Sequence, residues 1–418
     1  MKPGARIAAA IELRQELHAQ WTSGVSAPAD AVLKRYLKSR RYIGSKDRRE
    51  ISRLLYQSLR QHSRLQWHLE QANHIPSGRS LILAALALVD EQSSDTLRPL
   101  FNGDTYCPEP LGDTEIRLLQ SLSNRPLLME SMPEAIRLNF PEWMADELRA
   151  AFGDNLPAAL AALETEPPVD LRANALKASR DMVVDALANE GIPATPTPHA
   201  PNGLRLTARA ALTATRAFRD GLFEMQDEGS QLIAESIRTK PGDCGIDYCA
   251  GAGGKTLALA AQMQNTGTLH AWDITEARLK QLPGRLTRAG VNIAQPAVIT
   301  DELLTAHRQS ADWVLVDAPC TATGLWRRSP DLRLRNTPEM HREVCDQQRD
   351  ILQRAAPLVK PGGRLIYATC SVLPSENEKQ VESFLKANDE FTAAEKYHRL
   401  CPHSHATDGF FAAILARA

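Results

Sequence analysis

Gly245-Ile246-Asp247-Tyr248-Cys249-Ala250-Gly251-Ala252-Gly253-Gly254-Lys255-Thr256 reads as a short strand running through a glycine-rich turn into a helix. Glycines permit positive φ and let a ligand approach the backbone, while the amides of a helix N-terminus attract negative or polar groups. The spacing is not that of a triphosphate-binding loop, because the four residues needed between the first Gly and Gly-Lys are missing. It also lacks the third glycine spacing of a dinucleotide loop. Asp273 closes the next strand, where a carboxylate accepts hydrogen bonds from ribose hydroxyls, so the turn predicts an adenosine-containing cofactor. Around it, strand and helix candidates take turns: 244–249, 255–264, 268–272, 276–289, 313–316, 344–359 and 364–368. This alternation predicts a doubly wound parallel α/β sheet.

Two further strand ends carry thiols. Val314-Leu315-Val316-Asp317-Ala318-Pro319-Cys320 ends one strand with an acid and a cysteine, and Leu365-Ile366-Tyr367-Ala368-Thr369-Cys370-Ser371 ends the next with another. In an open α/β sheet the carboxyl ends of the strands form the ligand crevice, so both sulfurs are expected beside the cofactor. A single cysteine is more often a small buried hydrophobe. A pair beside a carboxylate suits a reaction that needs a soft nucleophile and a second proton-handling group. C5 of a pyrimidine has this need: a thiolate adding to C6 makes C5 enamine-like, the methyl group is transferred, and loss of the C5 proton lets the thiolate leave. A free thiol ionises near ~8.5, so its surroundings must favour the thiolate; Lys255 and a cationic sulfonium are candidates. Spacing does not say which cysteine attacks.

Outside this section the 418 residues divide by pattern. The first hundred read as helices, with stripes at Val32, Leu33, Tyr36, Leu37 and at Ile51, Leu54, Leu55, Leu59, broken at Gly44 or Ser45. Asp90–Thr114 has loop chemistry and suggests a hinge. Strand-like runs at 170–174, 203–206 and 221–225, with a helix at 181–190, imply a small α+β unit. Formal charge is −1, yet Ala31–Glu70 holds eleven Lys/Arg against Asp47, Glu50 and Glu70, leaving −9 on the other 378 residues. That local +8 suits an RNA phosphate backbone or simply a solvated helix face. The longest uninterrupted apolar run, Leu81–Val89, falls far short of the ~20 residues of a bilayer helix. Seven irregularly spaced cysteines suit reduced thiols, so a cytoplasmic protein without membrane contact or obligate protein partner is expected. Cys401-Pro402-His403-Ser404-His405 has metal-like composition but no second ligand cluster, and no metal site is expected. Trp272 reads as core.

At these motifs the chain resembles the Sun-type bacterial RNA cytosine-5 methyltransferases, relatives of the nucleolar proliferation-antigen methyltransferases. The likeness spans about Asn139 to Arg417. It includes Leu171-Arg172-Ala173-Asn174, Gln226-Asp227-Glu228-Gly229-Ser230, Cys249–Lys255, Asp317–Asp331, Thr369-Cys370-Ser371 and Asp408-Gly409-Phe410-Phe411. The resemblance implies Cys370 as the nucleophile on C6 and Cys320 as the thiol that assists release. DNA cytosine-5 enzymes instead attack from a Pro-Cys motif, which here would be Cys320. The resemblance assigns Cys249, Ala250, Gly251, Ala252, Gly253, Gly254, Lys255, Asp273, Asp301 and Asp317 to S-adenosylmethionine, with Asp317 also near the cytosine edge. Ala31–Arg64 is similar to the helical domain of the antitermination factor NusB, which gives Arg40, Arg41, Lys46 and Arg48 an RNA partner. Arg327 and Arg328, in the arginine-rich stretch after Cys320, are expected to touch RNA at the crevice mouth.

The implied architecture is a Rossmann-like class I methyltransferase domain (241–418), a small α+β linking domain (126–240) and an all-α RNA-binding domain (1–125). The implied reaction is methylation of a cytosine C5 from S-adenosylmethionine, in 16S ribosomal RNA first. The alternatives are the same chemistry on transfer RNA, or a ribosome assembly factor that binds RNA without turnover. Methylation of an exocyclic amine is disfavoured, because it asks for Asn/Asp-Pro-Pro-aromatic where this chain has Asp-Ala-Pro-Cys.

Overall fold

Continuous apolar runs such as Trp313-Val314-Leu315-Val316 suit strands covered on both faces, and they build the central sheet. The computed structural model describes every residue except Val25. It divides into two units, one made of 1–146, 154–164 and 326–337 and the other of 147–153, 165–325 and 338–418.

The second unit holds two sheets. The smaller is antiparallel, formed by β1 (Asp170–Ala173), β2 (Ala194–Pro196), β3 (Gly203–Leu206) and β4 (Phe223–Met225) in the order β2-β3-β1-β4. Helix Arg180–Asn189, capped by the Ser179 side chain, contributes Val183 and Leu187 to a core with Leu171, Leu204 and Phe223. The larger sheet comprises β5 (Cys244–Asp247), β6 (Thr268–Asp273), β7 (Ala294–Val298), β8 (Ala311–Asp317), β9 (Val359–Thr369), β10 (Phe391–Ala393), β11 (His398–Leu400) and β12 (Phe410–Arg417). Its order is β10-β12-β9-β8-β5-β6-β7, with β11 also on β12. β9, β8, β5, β6 and β7 are mutually parallel, as expected. β12 then lies antiparallel to β9, with Phe411 opposite Thr369 and Ala416 opposite Arg364. The sheet is therefore mixed, and β12 escaped the pattern because Phe410–Leu415 is buried throughout and shows no alternation. The helix expected over 276–289 is two, Glu276–Leu279 and Leu282–Ala289, the second starting with Pro283 in its first turn.

Strand order reverses between β5 and β8, so the crevice of this sheet opens where Asp247, Asp273, Asp317 and Thr369 end their strands.

The first unit is helical: α1 (Pro3–Thr22), α2 (Ala29–Ser39), α3 (Ser45–Arg60), α4 (His62–Gln71), α5 (Gly78–Leu88) and shorter helices. Leu13, Leu17, Leu33, Ile51 and Leu55 form one core and Leu65, Leu69, Leu81, Leu97 and Phe101 another. The hinge expected at 90–114 lies within this unit, because Leu97 and Phe101 are buried and Arg79 binds Glu115 and the Glu109 carbonyl. The unit also reaches past residue 125. Arg64 pairs with Glu164 at 2.7 Å and donates to the Arg137 carbonyl, and Asn139 donates to the carbonyl of Arg60.

Residues 326–337, which include the arginine-rich stretch 326–335 expected to touch RNA, belong to this helical unit as well. Trp326 is fully buried with the Arg333 guanidinium 4.6 Å from its ring centre, and the backbone N–H of Ala29 donates to Asp331. Arg327 is only 3% exposed, and its carbonyl accepts from Arg60. Its guanidinium is thus withdrawn from the phosphate contact assigned to it; Arg328 is half-buried.

Candidate active site

The glycine turn is fixed from both sides by backbone contacts. Ala250 donates to the Trp272 carbonyl, Gly253 donates to that of Ala250, and helix Gly254–Gln262 starts directly after. Gly253 has φ +85°, and a Cβ there would come within 2.2 Å of Leu282. Buried Arg172 donates to the Gly254 carbonyl, and Arg285 donates to that of Ala252. Asn174 donates to the carbonyls of Gly221 and Ala289. The Leu-Arg-x-Asn segment therefore braces the turn and the following helices against the smaller sheet.

Asp273 accepts one backbone N–H at each oxygen, from Gly251 at 2.9 Å and Ile274 at 2.8 Å, which aims its remaining lone pairs. Asp247, 1% exposed, accepts from Thr256 at one oxygen, and its other oxygen is buried without a partner. Desolvation pushes this carboxyl up to about 7, with the Thr256 hydrogen bond opposing. An orphaned acceptor, an oriented carboxylate and an open glycine turn, all at one sheet edge, fit a nucleoside-containing cation such as S-adenosylmethionine. Asp247 was not singled out from the sequence, although an acid ending the strand before a glycine turn was a usable signal.

Lys255 is buried and pairs with Asp317 at 2.6 Å. Burial lowers its affinity for the proton, but Asp317 and then Cys370 outweigh that, so the ammonium stays charged beyond its usual range. Its nitrogen lies 5.7 Å from the centre of the Phe410 ring, which also packs on Gly229. The backbone N–H of Asp408 donates to Asp227, so the Gln-Asp-x-x-Ser and Asp-Gly-Phe-Phe motifs support one wall together.

The two sulfurs, 50 residues apart in sequence, lie 3.2 Å apart. The Cys320 thiol is pushed up by its hydrogen bond to Cys370, by burial and by the negative charges of Cys370 and Glu376. Cys249 is also pushed up, by burial and then by Asp317, Asp247 and Asp273, which suits a packing thiol better than a reactive one. The loops bearing the pair are laced together: Gly324 donates to the Cys370 carbonyl, Thr323 and Ser371 share a hydroxyl contact, and Gly409 donates to the Gly324 carbonyl. Gly324 and Gly409 touch backbone to backbone, where a Cβ on Gly324 would meet the Gly409 oxygen at 2.2 Å.

The expected residues Cys249–Lys255, Asp273, Asp317, Cys320 and Cys370 thus gather at the carboxyl edge of the sheet. Asp301 follows the carboxyl end of β7 at the same edge, with its side chain 91% exposed and paired with Arg354 at 2.9 Å. Trp272 is buried against His270 and His307 and serves the core.

Residues 234–416 match the family described as 16S rRNA methyltransferase RsmB/F, and residues 140–213 match its ferredoxin-like domain. The probable ribosomal RNA small subunit methyltransferase B of Synechocystis is 33% identical over 67% of this chain and 67% of its own length. The chain belongs to this family. The family's small subunit methyltransferase B from Proteus mirabilis is 29% identical over 89% of the chain and 91% of its own length. Among solved structures, a methyltransferase homologue from Pyrococcus horikoshii superposes with a TM-score of 0.62, at 28% identity over 70% of this chain and 100% of its own. As a member of the RsmB/F family, the protein is an S-adenosylmethionine-dependent RNA methyltransferase. No helix among the described residues is long and apolar enough to cross a membrane.

Proposed function

We propose that this enzyme methylates C5 of a cytosine in 16S ribosomal RNA, in the cytoplasm, with Cys370 as the nucleophile and Cys320 as the thiol that serves release. The observation that carries the reading is the thiol pair at 3.2 Å beside the Lys255–Asp317 ion pair. The two sulfurs are chemically unequal. Cys320 is pushed up by its hydrogen bond to Cys370, by burial and by the negative charges of Cys370 and Glu376, so it is the sulfur suited to keep its proton. This asymmetry supports the order of roles that spacing left open.

S-adenosylmethionine, when bound, supplies the methyl group. The glycine turn and Asp273 hold its polar parts, and the orphaned oxygen of Asp247 offers a further acceptor. The Cys370 thiolate adds to C6 of the ring, which makes C5 nucleophilic. After transfer, a base must take the C5 proton so that the C6–S bond can break; Cys320 would serve this step as a thiolate, once its own proton has passed to solvent. The target must leave its stack to enter the crevice, so a single-stranded or flipped cytosine is the substrate.

On the helical unit, Arg41 and Lys46 are exposed and make no ion pair among the described residues, as are Lys34, Lys38 and Arg49. These are the phosphate contacts we favour. Arg40 lies over the Tyr36 ring and pairs with Glu12, and Arg48 donates to the Ile43 carbonyl, so both are already engaged.

The test is nucleoside mass spectrometry of RNA treated with wild-type protein and with Cys370→Ala. 5-Methylcytosine in the small-subunit RNA, absent with the variant, is expected; an N-methylated base, product confined to transfer RNA, or full activity of Cys370→Ala would each overturn the corresponding part. Binding without any transfer would identify an assembly factor.

A further inference from the structure

Glu376, so far named only for its charge near Cys320, has surroundings unlike those of an ordinary loop anchor. It is fully buried, at 0% exposure, at the end of a short turn, Pro374–Glu376, beyond β9. One oxygen accepts the Thr321 backbone N–H at 2.8 Å and the Gln348 amide at 3.2 Å. The other accepts the hydroxyls of Thr321 and of Ser371, the latter at 2.7 Å. Thr321 directly follows Cys320, and Ser371 directly follows Cys370. Gln348 donates in addition to the Pro319 carbonyl, on the other side of Cys320. The carbonyl of Glu376 takes the Tyr367 hydroxyl at 2.6 Å, which ties the turn to β9 itself. A single carboxylate thus grips the chain one residue beyond each sulfur.

We propose that Glu376 is a positioning residue that sets the spacing of the two thiols by clamping the loop after β8 to the loop after β9. A burial this complete is costly for a carboxylate and is sustained by its four donors. Some fifty residues separate the β8 and β9 loops in sequence, so the register of the sulfurs rests on tertiary links, in which the Glu376 carboxylate joins the Gly324–Cys370 and Thr323–Ser371 contacts. Because the thiols act in successive steps on one ring, an error of an ångström in their separation slows the chemistry without loosening the fold. Glutamine can preserve the clamp: its oxygen accepts from Thr321 N–H and Gln348, and its NH2 donates to the two hydroxyls, which then act as acceptors. Alanine removes all four bonds to the carboxylate and leaves the Tyr367 bond to the backbone carbonyl.

Intramolecular disulfide formation with diamide measures the spacing directly in the full-length protein. The azo bond of diamide takes up the two thiol hydrogens and two electrons and becomes the hydrazine, while one Cys320–Cys370 bond forms. Non-reducing peptide mapping follows that cross-link. Glu376→Ala is expected to slow it at least about tenfold and Glu376→Gln by no more than about threefold. Wild-type cross-linking in Glu376→Ala, or equal loss in both variants, would overturn the clamp, the latter by pointing to charge. Should Glu376→Ala fail to fold, Ser371→Ala removes one of the four donors to the carboxylate, together with that hydroxyl's contacts to Thr323 and the Leu373 N–H, and is expected to slow cross-linking about threefold; an unchanged rate contradicts the proposal.

The catalytic consequence rests on the proposed thiol chemistry: Glu376→Ala lowers kcat with KM for RNA unchanged, and Glu376→Gln restores most of it. A wild-type protein that makes no 5-methylcytosine refutes that chemistry and leaves the cross-linking result intact, so the two failures are distinguishable.

Discussion

The glycine turn and the thiol pair share one sheet edge, yet they are assembled from opposite kinds of contact. The turn takes its shape from its own segment, through the backbone bond from Gly253 to Ala250 and the positive φ of Gly251 and Gly253. The thiols are brought together by side chains about fifty residues apart, through Thr323 with Ser371 and Thr321 with Glu376. Positive-φ glycines and a helix start dictate the first wherever they occur, whereas the second exists only after β8 and β9 have paired in register. Damage to each half should therefore have a different signature.

The largest effect is expected on the turn side, in its buried acid. The folded value of Asp247, about 7, lies above the ~3.9 of an unfolded aspartate, so the fold keeps a proton that the unfolded chain releases. Stability from this group is full below about pH 4 and is lost as pH rises toward 7. Asp247→Asn should flatten that slope and raise cofactor-free stability at pH 8 by on the order of a few kcal/mol, read from denaturant melts. Parallel pH profiles for the two proteins would contradict the assignment.

Asp273→Asn comes next, with S-adenosylmethionine affinity falling about 10- to 100-fold by calorimetry and the diamide rate between Cys320 and Cys370 unchanged. A change in both would show that the halves are not separable. Gly253→Ala must accept φ +85° and a 2.2 Å approach to Leu282, for a stability loss of about 1–3 kcal/mol. The smallest effect is on RNA: Arg41→Gln with Lys46→Gln should weaken binding a few-fold at 0.1 M salt and flatten the plot of log affinity against log salt by roughly 0.7 per charge. An unchanged slope would remove this face from the RNA path.

The same contrast explains what the sequence disclosed. The turn, the acid at the end of β6 and the thiols at the ends of β8 and β9 were legible because each depends on its own segment. Glu376 was not, because its partners are assigned by tertiary pairing and Ser-Glu-Asn-Glu reads as polar loop. Arg327 misled for a related reason: charge in a loop reads as solvated, yet here it is buried in the helical unit, as are Trp326 and Arg333. β12 stayed hidden because burial on both faces erases alternation.

The central claim is a bond between one particular sulfur and the pyrimidine. With Cys320→Ala, release should stall and RNA should remain attached through denaturation; nuclease digestion and peptide mass spectrometry then locate the nucleotide. The account predicts a cytidine adduct on the peptide containing Cys370, with the added methyl group. An adduct on any other residue, or normal turnover with no attached RNA, would contradict it.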